Sequence, residues 1–219
     1  MTDINTFVQE FCDTGARAVS RYAEVSDDDY MKMPEYFMPA FIFDNLRTPR
    51  AATTITLETS FTDLIARNAS VRKRRGFAEQ GHNDQLLRLA EQLGGRRIDM
   101  ALFEGEAEQK PRNEQDFVAL VEFKKGWIDS GTLSGKISDR DRLLLLLACV
   151  DTCPWGIVCG WIPQYHYDWQ KNETLRTADR LFTSKIKIRD VAGPLLFCAR
   201  LFARDSDEGR VKELLQSFS

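Results

Sequence analysis

Glu122 and Lys124 stand two residues apart in LVEFKKGW, residues 120–127, directly after a run of apolar side chains. Side chains alternate across a strand, so these two share a face, with α-carbons about 7 Å apart. A segment that otherwise reads as a buried strand thereby brings a carboxylate and an ammonium together near a core. Asp99 lies in RRIDMALF, residues 96–103, where Ile98 and Met100 point the opposite way. If the two segments pair, its carboxylate can meet that of Glu122. Two carboxylates make a site for a hard cation. Mg²⁺ prefers oxygen ligands and keeps several waters, so two carboxylates and a backbone carbonyl leave positions for a phosphate oxygen and a nucleophilic water. Lys124 then has a task, to hold or help deprotonate that water and to offset charge on a pentacovalent phosphorane. The competing reading is a salt-bridged Glu122–Lys124 pair at a strand end, a common and weakly stabilising feature.

The elements that must position these residues follow from periodicity. Ile4, Phe7, Val8, Phe11, Ala18, Val19 and Tyr22 recur at helical spacing and predict an amphipathic helix over 3–24, ended by the acidic SDDD at 26–29. Pro34 suits a first helical position and opens a second helix over 34–47, with Pro39 inside it as a point of kinking. TTITL at 53–57 is β-branched and reads as a strand; residues 83–93 carry helical leucine spacing closed by Gly94 and Gly95. Strands at 96–103 and 117–123 flank a polar connection, long for a hairpin, that reads as a projecting loop. Ser138, with Asp139 and Asp141 in the first turn, opens the helix carrying LLLLLACV, and WGIVCGWI at 155–162 is apolar on both faces, as a central strand should be. Beyond it, Thr174–Thr183 reads as helical, SKIKIRD alternates, LLFCARLF reads as a strand and 209–218 as a short amphipathic helix. The order predicts one α/β domain over 1–219, with a mixed central sheet flanked by helices.

Composition narrows the function classes. The chain has 219 residues, 43% hydrophobic and 29% charged, which argues for a globular core and against disorder. The longest apolar run, Leu143 to Val150, is far short of a bilayer span, and acids occupy the first twenty residues where a secretory signal would be basic and then apolar. A cytoplasmic protein with no membrane partner is the expectation. Five cysteines form no Cys-x-x-Cys pair, so they read as small buried hydrophobes, and His82 and His166 lack the companions of a zinc site. The net charge of −3 resides in the segment 104–116, where five acids face two bases. Between Leu64 and Ala78 there is no acid, and Arg67, Arg72, Lys73, Arg74 and Arg75 concentrate positive charge as a phosphate contact surface would. A solvated loop is the alternative there. Lys185, Lys187 and Arg189 could track a phosphate backbone or guard an edge strand. GTLSGK at 131–136 lacks a spacer and the closing hydroxyl residue of a phosphate-binding loop, so it reads as a turn, although Lys136 remains a candidate phosphate contact.

The acid on one strand followed by Glu-x-Lys on the next resembles the PD-(D/E)XK nuclease superfamily, also called the restriction-endonuclease-like fold. Its pattern is an αβββαβ core with an acid on the second strand, Glu-x-Lys on the third, then a helix and a fourth strand. Asp99, Glu122-Phe123-Lys124, the 139–150 helix and the 155–162 strand fit in that order. The resemblance covers roughly residues 30–165 and leaves the N-terminal helix and a C-terminal extension outside it. A proline often precedes the acid; here Ile98 stands there. A second Glu-x-Lys triplet, Glu108-Gln109-Lys110, lies in a polar stretch with no strand around it, so context and not the triplet carries the resemblance.

The resemblance implies catalytic roles for Asp99, Glu122 and Lys124, with Mg²⁺ or Mn²⁺ held by Asp99, Glu122 and the Phe123 backbone carbonyl. It also implies an assisting glutamate on the helix before the first strand, a place matched by Glu35, with Glu58 a weaker alternative. The implied activity is a metal-dependent endonuclease hydrolysing phosphodiesters in nucleic acid, DNA favoured over RNA, with restriction or phage defence as its setting by fold analogy. Arg72, Lys73, Arg74, Arg75 and Lys136 are the nucleic-acid contacts, and a homodimer is left open. The alternative is a catalytically silent member serving as a binding, immunity or assembly module.

Overall fold

The computed structural model describes residues 3–26, 33, 34, 36–46, 53–78, 84–104, 115–124, 138–188 and 194–217. Expectations that fall on Glu35, His82, Lys136, Arg189 and most of the 104–116 connection lie outside these residues. The described elements run α1 (Ile4–Ser26), α2 (Phe37–Asn45), β1 (Thr53–Ser60), α3 (Phe61–Arg74), α4 (Asp84–Gly94), β2 (Arg97–Glu104), β3 (Phe117–Lys124), α5 (Asp139–Cys149), β4 (Trp155–Pro163), α6 (Gln164–Leu175), β5 (Arg180–Ile186), β6 (Leu195–Ala203) and α7 (Glu208–Ser217). The strands form one open sheet in the order β1-β2-β3-β4-β6-β5. The β1–β2, β2–β3 and β5–β6 pairings are antiparallel. No helix among the described residues is long and apolar enough to cross a membrane.

The chain divides into two compact units, one of residues 1–50, 123–128 and 158–201, the other of 51–122, 129–157 and 202–219. In the first, α1 packs on β5 and α2, burying Phe7, Val8, Phe11, Ala18 and Val19. The Gln9 amide of α1 donates to the Thr183 carbonyl at 3.1 Å and the Lys187 N–H donates to Ser20 Oγ at 3.0 Å, so helix and edge strand are tied by polar groups as well as packing. A methyl at Gly15 would run into the Phe197 ring, which makes glycine the residue that allows α1 to approach β6. Pro39 is buried and is the third residue of α2, where the backbone N–H has no intrahelical acceptor to lose.

The second unit is built around α5. Arg140 through Leu147 are all buried, as expected of a helix enclosed on every side. Ser138 caps it, accepting from the Asp141 N–H at 3.1 Å. Its neighbours include α4 and α7, and Leu147 fits against Gly156 of β4, where a methyl would collide with Leu147 and Phe202. On β1, Glu58 adopts φ +50°, in the left-handed region that costs a non-glycine residue about 1–2 kcal/mol. The hydroxyls of Thr56 and Thr59 meet across it at 2.7 Å.

Two expectations are corrected. Thr174–Thr183 is not a helix: α6 ends at Leu175, and the strand β5 begins at Arg180. The reason lies in tertiary pairing, because Leu181 and Thr183 sit in register with Arg200 and Cys198 of β6, and that ladder outweighs local propensity. Nor is the basic segment a solvated loop, since Arg72, Lys73 and Arg74 form the last turn of α3, where cations complement the helix dipole. Asn68 and Val71 of that helix are buried, an apolar and polar mixture that hid its periodicity.

Candidate active site

Strand register brings two of the expected carboxylates to one place. Met100 pairs with Val121 and Ala101 with Leu120; one step further along the same ladder sets Asp99 opposite Glu122, and opposed residues share a face. Phe123 stacks its ring on Phe11 with centroids 5.7 Å apart, so alternation turns Glu122 and Lys124 to the other side of β3. Asp99 and Lys124 are half-buried, whereas Glu122 is buried.

The structure gives Glu122 a partner that the sequence reading did not name. Arg142, at the end of the first turn of α5, forms an ion pair with Glu122 through Nη2 and Oε1, and the two side chains are 6% and 4% exposed. Burial pulls the Arg142 guanidinium below its ordinary pKa, and the nearby Asp99 carboxylate acts in the opposite direction. An arginine nonetheless stays charged at neutral pH. The Glu122–Arg142 pair is thus almost fully covered, with half-buried Asp99 nearby. Arg142, from the following helix, thus answers Glu122.

Three consecutive charges of α5 each find a different partner. Arg140 reaches Asp207 at 3.2 Å and its guanidinium lies 5.3 Å over the Phe202 ring. Asp141 accepts from Arg210 Nη2 at 2.8 Å and from its Nε at 3.2 Å, and this contact raises the Arg210 pKa. Arg142 takes Glu122. A signal for this existed in the sequence. Cations are unfavourable in the first turns of a helix, so two arginines in DRDR next to a leucine run call for acids from elsewhere in the fold.

Three of the basic residues in and just after α3 are tied to acids. Arg72 pairs with Asp151 and donates to the Ala78 carbonyl at 2.6 Å. Arg74 and Arg75 both pair with Asp116, and Lys73 makes no ion pair among the described residues. Arg67, counted with this group, lies flat on Phe103 at 3.7 Å from the ring centroid. Beside them Asn68 forms a satisfied buried network: its amide nitrogen donates to Asp151 Oδ1 at 3.0 Å and to the Cys149 carbonyl at 3.3 Å, and its oxygen accepts from the Thr152 N–H at 3.0 Å and hydroxyl at 2.6 Å. Arg72 and Asn68 of α3 thus fasten the turn after α5.

Glu58, the weaker choice for an assisting acid, is exposed and lies between Leu57 and Thr59, which pair with Met100 and Ile98. Glu58 of β1 is therefore next to Asp99 of β2 in the antiparallel ladder. Among the described residues no group of three or more metal-ligating side chains is assembled. All five cysteines are free, and four are buried, in keeping with their reading as small hydrophobes. No protein-family model, curated protein or solved structure matches the chain.

Proposed function

We propose that the chain is an Mg²⁺-dependent nuclease acting on phosphodiesters, with DNA favoured. The observation that carries this reading is the antiparallel β2–β3 register, whose pair Met100–Val121 stands one step short of Asp99 and Glu122, with Lys124 two residues beyond Glu122 on the same strand. The order of elements supports it: β1, β2 and β3 are consecutive neighbours, α5 follows, and β4 takes the place beside β3. The insertion of both α3 and α4 between β1 and β2 departs from a plain αβββαβ core. The donor set fits a hard cation in type, since it is all oxygen.

In this reading Asp99, Glu122 and the Phe123 carbonyl hold Mg²⁺, which when bound polarises a phosphoryl oxygen and lowers the pKa of water. Lys124 orients the attacking water and stabilises charge on the phosphorane, an electrostatic task that belongs to the transition state. Lys73, with no acid beside it among the described residues, offers a phosphate contact.

One observation favours a second reading, a catalytically silent module that binds a partner: the carboxylate of Glu122 is already neutralised by Arg142. Incubation with supercoiled plasmid, single-stranded DNA and RNA, each with Mg²⁺ or chelator, separates the two. Metal-dependent cleavage lost in Lys124→Ala, with nucleic-acid binding largely kept, supports the nuclease. Wild-type protein that cuts none of the three substrates in Mg²⁺ or Mn²⁺ refutes it.

A further inference from the structure

We infer that Arg142 is a built-in counter-charge that closes the Asp99–Glu122 pair in the metal-free protein and must leave Glu122 before a divalent cation can enter. The inference rests on the metal-dependent reading above and adds to it a residue that sets the affinity of the site. Its basis is geometric. Arg142 pairs with Glu122 in a place where both side chains are almost fully covered, and Asp99, one register step beyond the Met100–Val121 pair, is the next acid in its field. A guanidinium and a dication would neutralise the same oxygens, and in a poorly solvated cluster the same lone pairs cannot serve both.

The first turn of α5 is held so that Arg142 cannot drift away. Asp141 is clamped by Arg210 and Arg140 by Asp207, both from the C-terminal segment around α7. The lock therefore opens through the Arg142 side chain, which can withdraw while the backbone of α5 stays in place. Its consequence is a metal affinity weaker than the two carboxylates alone would give.

The test measures Mn²⁺ and Mg²⁺ binding by titration calorimetry, together with the metal-induced rise in melting temperature, for wild type, Arg142→Met and Arg142→Lys. Both readouts are independent of cleavage. Arg142→Met should bind Mn²⁺ about tenfold more tightly, equivalent to about 1.4 kcal/mol, and should gain more from metal in the melt than wild type does. Arg142→Lys keeps the charge but replaces the planar, weakly hydrated guanidinium by a more strongly hydrated ammonium; it should bind more tightly than wild type by a smaller factor. It also serves as the decisive variant if Arg142→Met does not fold without metal. Equal affinity in wild type and variants overturns the role of Arg142 and leaves the two-carboxylate site standing. Weaker binding in the variants also overturns it, because Arg142 would then support the site. Absence of binding in all three proteins overturns both this inference and the metal-dependent reading.

Discussion

Glu122 and Arg142 should behave as a coupled pair in stability. Each side chain is buried, 4% and 6% exposed, so removing either one strands the other in a medium that penalises charge. Breaking such a pair from one side costs about 3–5 kcal/mol. The two single changes are not equivalent. In Glu122→Met the guanidinium keeps Asp99 nearby, which places the loss near the lower end, about 3 kcal/mol. In Arg142→Met two carboxylates lose their common cation, which places it near the upper end, about 5 kcal/mol. The double variant replaces the pair by apolar side chains of similar volume and leaves only half-buried Asp99, so it should lie within about 2 kcal/mol of wild type. Urea unfolding in the presence of chelator, followed by midpoint and slope, measures all four proteins. The singles together amount to about 8 kcal/mol, so the double variant should fall short of their sum by about 6 kcal/mol, above the roughly 3 kcal/mol that coupled neighbours usually reach. The coupling should persist at high ionic strength, because screening acts weakly on a buried pair. Additive losses, or single losses below about 1 kcal/mol, would refute the buried-pair reasoning and move the contact to the class of surface pairs.

Asn68→Ala removes four hydrogen bonds and leaves the Thr152 hydroxyl and N–H without their acceptor; a loss of about 2–4 kcal/mol in the same urea assay is expected, and a loss under about 0.5 kcal/mol would show that water replaces the network. Charge reversal at Lys73 alone should weaken nucleic-acid binding for every sequence and flatten its salt dependence by about one phosphate contact, whereas Arg72→Glu should chiefly destabilise the fold through Asp151; an unchanged salt slope for Lys73→Glu removes α3 from the interface. The thiols of Cys149, Cys153 and Cys198 are pushed up by burial to about 12 from an ordinary value of 9.0. Their folded values lie above the unfolded one, so this contribution to stability is complete below pH 9 and is lost as pH rises towards 12. Serine at all three positions should flatten that alkaline decline, as followed by circular dichroism, and an identical decline would assign it to other groups.

The elements whose signal is local were legible. Ser138 with two acids in the following turn placed the start of α5, Gly94 and Gly95 placed the end of α4, and alternation or continuous apolarity placed β1, β2, β3 and β4. Where a neighbour decides the conformation, the sequence misled. Residues 174–183 carry helix formers, but Arg180–Ile186 is captured by the β6 ladder. The helix at 61–74 was hidden because Asn68 is buried through hydrogen bonds and Arg67 through stacking on Phe103, so two inward positions look polar. That Asp99 and Glu122 lie on adjacent antiparallel strands was legible because alternation and strand order are properties of a line of text. Arg142 was not, because its partner is set by how α5 docks on β3, and the spacing of two residues eighteen or more positions apart says nothing of that.

The DRDR turn also explains why the C-terminal segment belongs to the account of the site. Successive helical residues are rotated by about 100°, so Arg140, Asp141 and Arg142 face three directions and cannot neutralise one another well; the Arg140–Asp141 separation is 4.0 Å, at the limit of an ion pair. Each must be answered by a different element, and each is: Asp207 before α7, Arg210 in α7 and Glu122 on β3. An apolar first turn would bury as much surface with no need of these partners. A turn of alternating charges makes the orientation of α5 depend on α7 and β3 together, because a rotation of the helix by one residue would break all three pairs. That dependence fixes where the Arg142 guanidinium stands relative to Glu122. The residues outside the expected core thus act on the carboxylates through the helix that follows them.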